Sequence, residues 1–386
     1  GDQVHMYGGA GDDTLQGSVD VDNYFALSGG AGDDILLFTQ LSGSTVAELF
    51  GDDTFGNTYA ENATDGDDKI TITSVGTVIA HGGGGDDTLI GGGGQEKLYG
   101  GSGDDTLFGG NGDDTLQGYV GDDTLSGGGG DDVINGSVGS DYQYGGLGND
   151  TVYWDSKDFA ISGGGGDADA LVAWSGDDTI ILDHSMMGGG AEANGGFEIV
   201  RLGEGDDFII GDRVFAGDTS LYVDAGEGKD TISLWGDGND TILAGDGSDW
   251  IYGGDGNDQI YGGNGLDYIY AGAGNDTMRG ELGDDGFYFG RGDDTDFIID
   301  RDGNNGLRFF YGYNGSAVSD DVQATDLSVT YDDVNQIATI ILADGDDAGT
   351  AIDGTVSFAY GDIGFVQVTD GSTYSWDDSS DRFTGL

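Results

Sequence analysis

Large apolar residues recur once in every nine positions over two long stretches of this chain. Eight successive nonapeptides run without a gap from residue 82 to 153, and six more run from residue 244 to 297. Each resembles the pattern G-G-x-G-x-D-x-U-x, in which U is a large apolar residue, as in GGSGDDTLF at 100–108 and GGDGNDQIY at 253–261. A fixed short period of this kind indicates a repeat architecture.

The nonapeptide predicts a turn followed by a short strand. Glycine at positions 1, 2 and 4 permits positive φ and close backbone approach, so the first six residues can make a tight turn. The next three residues, x-U-x, form a strand with U on one face and its neighbours on the other. The predicted inward residues are Leu89, Leu98, Leu107, Leu116, Leu125, Ile134, Val152, Ile251, Ile260, Ile269, Met278 and Phe287.

Two nonapeptides make one 18-residue coil, and stacked coils predict two parallel sheets that face each other, with the turns aligned along the edges. This stacking places acidic residues 18 positions apart in neighbouring turns. In the first block one edge carries Asp87, Asp105, Asp123 and Asp141, and the other carries Glu96, Asp114, Asp132 and Asp150. In the second block Asp249, Asp267 and Asp285 alternate with Asp258, Asp276 and Asp294.

Carboxylates in rows about 4.8 Å apart repel one another unless a cation neutralises them. Ca²⁺ accepts about six to eight oxygen ligands in flexible geometry, which suits a site shared by two turns. Mg²⁺ requires a stricter octahedron, and Zn²⁺ prefers histidine or cysteine ligands. The rows therefore predict multiple bound calcium ions.

On these repeats the chain resembles the RTX family, whose hemolysin-type calcium-binding repeats have this nonapeptide pattern. The resemblance implies an all-β fold, a parallel β-roll or β-solenoid of GGxGxDxUx nonapeptides with a C-terminal β-rich cap. It also implies that the sixth-position Asp and the turn carbonyls ligate Ca²⁺. Carried over to this chain, the candidate metal ligands are Asp13, Asp34, Asp68, Asp87, Asp105, Asp114, Asp123, Asp132, Asp141, Asp150, Asp178, Asp207, Asp230, Asp240, Asp249, Asp258, Asp267, Asp276, Asp285 and Asp294.

The regularity of the motif divides the chain into five regions. Residues 1–81 are expected to form an irregular β-roll with calcium turns mainly on one edge, where Asp13, Asp34, Asp53, Asp68 and Asp87 follow one another at intervals near one coil. Residues 82–153 and 244–297 are the regular blocks. Residues 154–243 are expected to be a widened, irregular roll with excursions, in which Asp178 follows Asp150.

Residues 298–386 are expected to be a β cap that covers the end of the solenoid, because an open coil end exposes unpaired strand groups. Alternating stretches predict strands at 326–331, 337–342, 355–360 and 365–369. The segment 296–315 resembles the one that often ends an RTX roll, although Arg301 and Gly306 depart from that pattern. The resemblance implies a type I secretion signal in this region. The chain also opens inside a repeat, as a fragment or processed product would.

The composition makes the fold conditional on a ligand. The chain has 11 Lys plus Arg against 74 Asp plus Glu, a net charge of −63, with 82 Gly and no Cys. Such a charge argues against binding nucleic acid or an anionic membrane, and no apolar run is long enough to span a membrane. High charge with few apolar residues is typical of disorder. We therefore expect a chain that is disordered without calcium and folded with it.

Catalytic motifs are missing from the sequence. The histidines, His5, His81 and His184, do not form an HExxH motif, and neither a GxSxG elbow nor a P-loop is present. We therefore expect a protein that is not an enzyme: secreted, extracellular or at the cell surface, with a structural or assembly role in a surface layer, matrix, filament or adhesin stalk.

Two alternatives stay open, a non-catalytic RTX module of a larger secreted enzyme and a carbohydrate-binding adhesin. Self-assembly and binding to cell-surface glycans are accordingly the partner hypotheses beside calcium. The outward tyrosines Tyr252, Tyr270 and Tyr288 could stack on sugar rings, but a ladder of tyrosines packed across the coils is the favoured interpretation.

Overall fold

The computed structural model is built of β-strands, and its described residues include no helix. They also include no helix long and apolar enough to cross a membrane. The structure describes residues 4–19, 25–40, 47–51, 66–73, 76–155, 157–158, 160–165, 169–173, 177–182, 197–211, 220–289, 295–300, 305–309, 327–332, 337–343, 352–359, 365–367, 373–377 and 382–384.

The chain divides into two units, of which the first comprises residues 1–173 and 185–199. Its strands are β1 (Val4–Ala10), β2 (Thr14–Val19), β3 (Phe25–Ala31), β4 (Ile35–Gln40), β5 (Ala47–Phe50), β6 (Lys69–Ile72), β7 (Thr77–Gly84), β8 (Thr88–Ile90), β9 (Gln95–Ser102), β10 (Thr106–Asn111), β11 (Thr115–Val120), β12 (Thr124–Gly129), β13 (Val133–Val138), β14 (Tyr142–Leu147), β15 (Thr151–Tyr153), β16 (Ala160–Gly165) and β17 (Asp169–Val172). The even-numbered strands form one parallel sheet and the odd-numbered strands a second, each in chain order.

The second unit comprises residues 174–184 and 200–386, so that β19 (Phe197–Glu204) crosses the boundary. Its other strands are β18 (Thr179–Leu182), β20 (Phe208–Gly211), β21 (Tyr222–Glu227), β22 (Thr231–Ser233), β23 (Thr241–Gly247), β24 (Trp250–Asp255), β25 (Gln259–Gly265), β26 (Tyr268–Ala273), β27 (Thr277–Leu282), β28 (Gly286–Phe289), β29 (Thr295–Ile298), β30 (Gly306–Phe309), β31 (Leu327–Asp332), β32 (Ile337–Ala343), β33 (Ile352–Ala359), β34 (Phe365–Gln367), β35 (Thr373–Asp377) and β36 (Arg382–Thr384).

Both sheets of the second unit change from parallel to antiparallel pairing near the C-terminus. One sheet runs β18-β20-β22-β24-β26-β28-β30-β34 with parallel pairs and continues antiparallel through β35 and β36. In the other, β29 pairs parallel with β33, which is followed by the antiparallel neighbours β32 and β31. The predicted fold class, a parallel β-roll with a β-rich C-terminal segment, is therefore confirmed.

The regular coils repeat every 18 residues, as predicted. Leu107 lies opposite Leu125, and Leu116 lies opposite Ile134. Every predicted inward residue is buried, with at most 3% of its surface exposed. The inward position of β14 breaks the apolar pattern, because it holds Gln143, which is fully buried.

Most strands are longer than the predicted three residues, which only a few, such as β8, retain. β10 extends from Thr106 to Asn111 and thus includes the first three residues of the next repeat. Gly110 of this strand still pairs in register with Gly128 of β12. Successive coils superimpose, so backbone groups of the turn also meet their equivalents in the next coil. A prediction made within one repeat does not include these contacts.

Candidate metal centre

Acidic side chains at the end of each turn form rows that are tied together by backbone hydrogen bonds. The backbone nitrogen of Asp87 donates to Oδ1 of Asp105 at 2.8 Å, and that of Asp105 donates to Oδ1 of Asp123 at 2.7 Å. Each carboxylate therefore accepts a hydrogen bond from the coil before it. In the first unit this first row contains Asp13, Asp34, Asp68, Asp87, Asp105, Asp123, Asp141 and Asp158.

Three further rows have the same hydrogen bonds. The second row, also in the first unit, contains Glu96, Asp114, Asp132, Asp150, Asp169 and Glu198. The third row, in the second unit, contains Asp178, Asp207, Asp230, Asp249, Asp267, Asp285 and Asn305. The fourth row, in the same unit, contains Asp240, Asp258, Asp276 and Asp296.

The rows include every candidate ligand of the sequence analysis except Asp294, which lies outside the described residues. The place expected for Asp294 is taken by Asp296, because the backbone nitrogen of Asp276 donates to Oδ1 of Asp296 at 3.0 Å. The last coil of this row is thus 20 residues long, and Ile298 pairs with Met278. The inward apolar residue of this repeat is Ile298, two positions later than the nonapeptide pattern predicts. The pattern therefore did not identify it.

Two intervals in the irregular regions were predicted wrongly. The row passes from Asp34 directly to Asp68, in a single coil of 34 residues. Asp53, which had been placed between them, lies outside the described residues. The neighbour of Asp150 is Asp169 and not Asp178, since the nitrogen of Asp150 donates to Oδ1 of Asp169 at 2.7 Å. The sequence interval between two Asp residues does not tell whether the intervening residues form a separate coil or lengthen a single one.

The sequence analysis missed Asp158, Asp169, Glu198, Asp296 and Asn305 as members of the rows. Asp169 could have been found, because it ends a turn that begins with four glycines at 163–166 and is only one residue longer than the regular turn. Asn305 is not acidic, so it does not complete a G-x-D motif. Only the backbone hydrogen bond from Asp285 places it in the row.

One carboxylate oxygen in each of many turns is buried and accepts no hydrogen bond. Among the described residues this holds for Oδ2 of Asp34, Asp105, Asp114, Asp123, Asp132, Asp150, Asp169, Asp207, Asp230, Asp249, Asp258 and Asp267. An unpartnered buried carboxylate oxygen is costly, because it has lost its water without gaining a donor. The rows therefore contain a regular array of oxygens that lack a positive partner.

In the turns that begin with glycine, this first residue makes room for the carboxylate oxygen. A Cβ on Gly109 would lie 2.5 Å from Oδ2 of Asp114 and 2.5 Å from the carbonyl oxygen of Gly127 in the next coil. Positive φ is found instead at positions 2 and 4, for example 133° at Gly101 and 121° at Gly103. The glycine at position 1 does not adopt positive φ, and what it allows is close approach; alanine stands at this position in other turns, at Ala225, Ala244 and Ala271.

The donor set around each turn consists of oxygen atoms. In the described part of the chain no three His, Cys, Asp or Glu side chains converge on a point. A cation held here would therefore draw its remaining ligands from backbone carbonyls such as that of Gly127. Carboxylate and carbonyl oxygens in a flexible turn are the ligands that Ca²⁺ prefers, so the residues fit this ion.

Burial dominates the electrostatics of the rows. Desolvation raises the pKa of Asp105 to about 8, against a lowering by the backbone nitrogen of Asp87 and a further rise caused by the charge of Asp123. Desolvation likewise raises the pKa of Asp258 to about 8 and that of Asp114 to about 7. The rows are therefore poorly suited to carry bare negative charge at neutral pH.

A second ladder lies outside the first and runs in the opposite direction. The exposed Asp86 accepts a hydrogen bond at Oδ1 from the nitrogen of Asp104, in the coil after it, at 2.8 Å. Asn257 accepts from the nitrogen of Asn275 at 2.8 Å in the same way. Position 5 therefore favours Asp or Asn for its short side chain, which the sequence analysis did not recognise.

Aromatic residues stack across the coils on the outward face of β24, β26 and β28. The rings of Tyr252 and Tyr270 are 5.0 Å apart with an angle of 14°, and those of Trp250 and Tyr268 are 4.6 Å apart with an angle of 25°. These ring faces therefore contact each other. The arrangement favours the cross-coil ladder over sugar stacking as the role of these residues.

Seven segments of the chain match the family model of the RTX calcium-binding nonapeptide repeat. They are residues 5–36, 81–116, 108–143, 117–152, 192–213, 236–269 and 261–296. A search among curated proteins found no match to the chain. The matched segments contain members of all four rows and most of the unpartnered oxygens, those of Asp169 and Asp230 excepted.

Proposed function

We propose that this protein, a member of the RTX calcium-binding repeat family, is a secreted β-roll that folds when it binds extracellular Ca²⁺ and has a structural or assembly role at the cell surface. The observation that carries the proposal is the array of buried Oδ2 atoms without hydrogen-bond donors. Calcium binding itself is what RTX repeats in a β-solenoid imply.

The candidate ligands are the row carboxylates and the carbonyl oxygens of the position-1 glycines beside them. Bound Ca²⁺ would supply two positive charges per ion and the electrostatic partner that each Oδ2 lacks. Asp105 and Asp123 show what the chain contributes, because a backbone hydrogen bond from the preceding coil already orients each carboxylate through Oδ1. Ion binding to this preformed arrangement would add directly to the free energy of folding.

The charge of the chain supports export in an unfolded state and an extracellular location. A net charge of −63 favours an expanded chain when cations are scarce. Extracellular calcium modules bind with dissociation constants of about 10⁻⁴–10⁻³ M, so they remain empty where free calcium is low. An unfolded chain suits type I secretion, and folding would follow outside the cell.

The structural role is supported by the contacts that the repeated side chains make along the coils. Its repeated polar residues are engaged in the inner and outer ladders, and aromatic residues stack along the coils. RTX repeats are a structural, calcium-binding fold, and we assign no reaction to them. Stacked coils with regular faces are the kind of element from which surface layers, filaments and stalks are assembled.

Circular dichroism during a calcium titration tests the folding mechanism. The β signal is expected to appear as Ca²⁺ rises towards millimolar concentration and to disappear with excess EGTA. Mg²⁺ at the same concentration is the control and is expected to restore little of the signal. A full β signal after exhaustive chelation would contradict calcium-driven folding.

Electron microscopy tests the assembly role separately. Sheets or filaments are expected with Ca²⁺ and not with EGTA. Folded, dispersed monomers at high protein concentration with saturating Ca²⁺ would contradict assembly while leaving calcium-driven folding intact.

A further inference from the structure

Gln143 occupies a core position that is apolar in the neighbouring coils. It lies opposite Leu125 of β12 and Ile161 of β16, and its side chain is fully buried. A buried amide without partners would be strongly destabilising. Its surroundings therefore have to supply hydrogen bonds that a leucine would not need.

The amide inserts between two coils of the first unit. Its Oε1 accepts a hydrogen bond from the backbone nitrogen of Gly136 at 3.0 Å, and its Nε2 donates to the carbonyl oxygen of Tyr153 at 3.0 Å. At the equivalent place in an earlier repeat, the nitrogen of Gly91 donates directly to the carbonyl of Phe108 at 2.6 Å. Asn135 of β13 and Tyr153 of β15 remain paired, so the amide of Gln143 adds a side-chain bridge between these two strands.

The second donor of the amide points to the end of the first row. Nε2 of Gln143 donates to Oδ2 of Asp158 at 2.8 Å, and the backbone nitrogen of Asp155 donates to the same oxygen at 3.0 Å. Oδ1 of Asp158 accepts from the nitrogen of Asp141 at 3.3 Å. Both oxygens of Asp158 therefore have donors from the protein.

This arrangement differs from the regular turns of the same row. Oδ2 of Asp105 and Oδ2 of Asp123 are buried without a hydrogen-bond donor. The turn before Asp158 also has a different construction, because residues 154–157 contain no glycine and the nitrogen of Lys157 donates to Oδ1 of Asp155 at 2.7 Å. This turn therefore lacks the glycines of a regular turn and is held by a side-chain hydrogen bond of its own.

We propose that the amide of Gln143 takes the place of a cation at this turn, so that the ion sites of the first row end before Asp158. Gln143 and Asp158 form an ion-free junction between β14 and the coil that follows. This inference rests on the proposed function, in which the regular turns of the row hold Ca²⁺.

Counting bound calcium in the full-length protein tests the junction. Calcium per chain is measured by equilibrium dialysis and atomic absorption for the wild type, Asp158→Asn and the matched variant Asp123→Asn. The expected result is the wild-type count for Asp158→Asn and at least one ion fewer for Asp123→Asn. If Asp158→Asn loses as many ions as Asp123→Asn, the inference is overturned. A wild type that binds no calcium would instead overturn the proposed function.

A stability measurement covers the case in which one of these variants does not fold. Gln143→Leu restores the apolar residue of the repeat, but it removes the donor to Asp158 and the acceptor for Gly136. At saturating Ca²⁺ we expect its Tm to fall by about 5 °C or more. An unchanged or higher Tm would show that Gln143 is merely tolerated in the core and would overturn the inference.

Discussion

The backbone nitrogen of Asp105 donates a hydrogen bond of 2.7 Å to Oδ1 of Asp123, one coil further along the chain. The bond orients the carboxylate of Asp123 and leaves its other oxygen buried without a donor. One oxygen thus stacks the coils, while the other is available to a cation. Repetition of this pair along the roll couples the alignment of coils to the arrangement of ligands.

Replacing a row carboxylate is expected to weaken calcium-driven folding. In Asp105→Asn the site loses a negative charge, so the calcium concentration at the folding midpoint should rise several-fold. Circular dichroism during a calcium titration measures the midpoint. The control is Asp104→Asn, whose exposed side chain can still accept from the nitrogen of Asp122 through its oxygen. Equal midpoint shifts in both variants would contradict the assignment of position 6.

A methyl group at the first glycine of a turn is expected to disrupt the site. In Gly109→Ala the Cβ would meet Oδ2 of Asp114 and the carbonyl of Gly127, each at 2.5 Å. We expect a loss of about 1–3 kcal/mol in the free energy of unfolding, as in overpacked interiors. The control is Gly129→Ala, where the nearest atom to a Cβ is 3.6 Å away. Chemical unfolding at saturating Ca²⁺ measures the free energy of unfolding of both variants. Equal values would contradict this role of Gly109.

Acid is expected to substitute in part for calcium. Burial raises the pKa of Asp105 and Asp258 to about 8, far above the value of 3.8 for an unperturbed Asp. Because the folded, metal-free roll then binds more protons than the unfolded chain, its stability rises as pH falls from about 8 towards 4. Metal-free protein should gain β signal in circular dichroism over this range. A β signal that stays flat or declines on acidification would count against it.

Relieving backbone strain is expected to stabilise the second unit. Glu281 stands at position 2 of its repeat with φ of 73°, in the left-handed region that favours glycine, and its side chain is exposed. Glu281→Gly should raise the free energy of unfolding by about 1 kcal/mol. Glu281→Ala is the control, because it removes the same charge but keeps the strain. Thermal unfolding measures the stability of both variants. If both gain equally, the effect comes from the loss of charge and not from relief of strain.

The regular coils could be predicted in detail from the sequence. Leu107 and Leu125 were placed opposite each other, and Asp87, Asp105, Asp123 and Asp141 in one row, because each nonapeptide contains its own turn and strand. With a period of nine and no insertions, counting residues is equivalent to counting coils. The fold class followed from the same arithmetic.

The irregular coils required the tertiary structure. Asp34 meets Asp68, Asp150 meets Asp169, and Asp276 meets Asp296 at intervals of 34, 19 and 20 residues. Additional residues between two row members change the count without changing the stacking, so spacing loses its meaning there. The expected occupants Asp53 and Asp294 have the right motif, but the stacking places other residues in the rows.

The sequence by itself determined the repeat, the apolar core and the composition from which cation-dependent folding is inferred, since these are properties of each nonapeptide and of the total charge. Only the tertiary structure decided which oxygens of the row have donors. The side chains of Asp123 and Asp158 are chemically identical, yet Asp158 has both oxygens satisfied by Asp141, Asp155 and Gln143. The physical reason is that a hydrogen bond depends on distance and direction between atoms of different coils, which no local pattern contains.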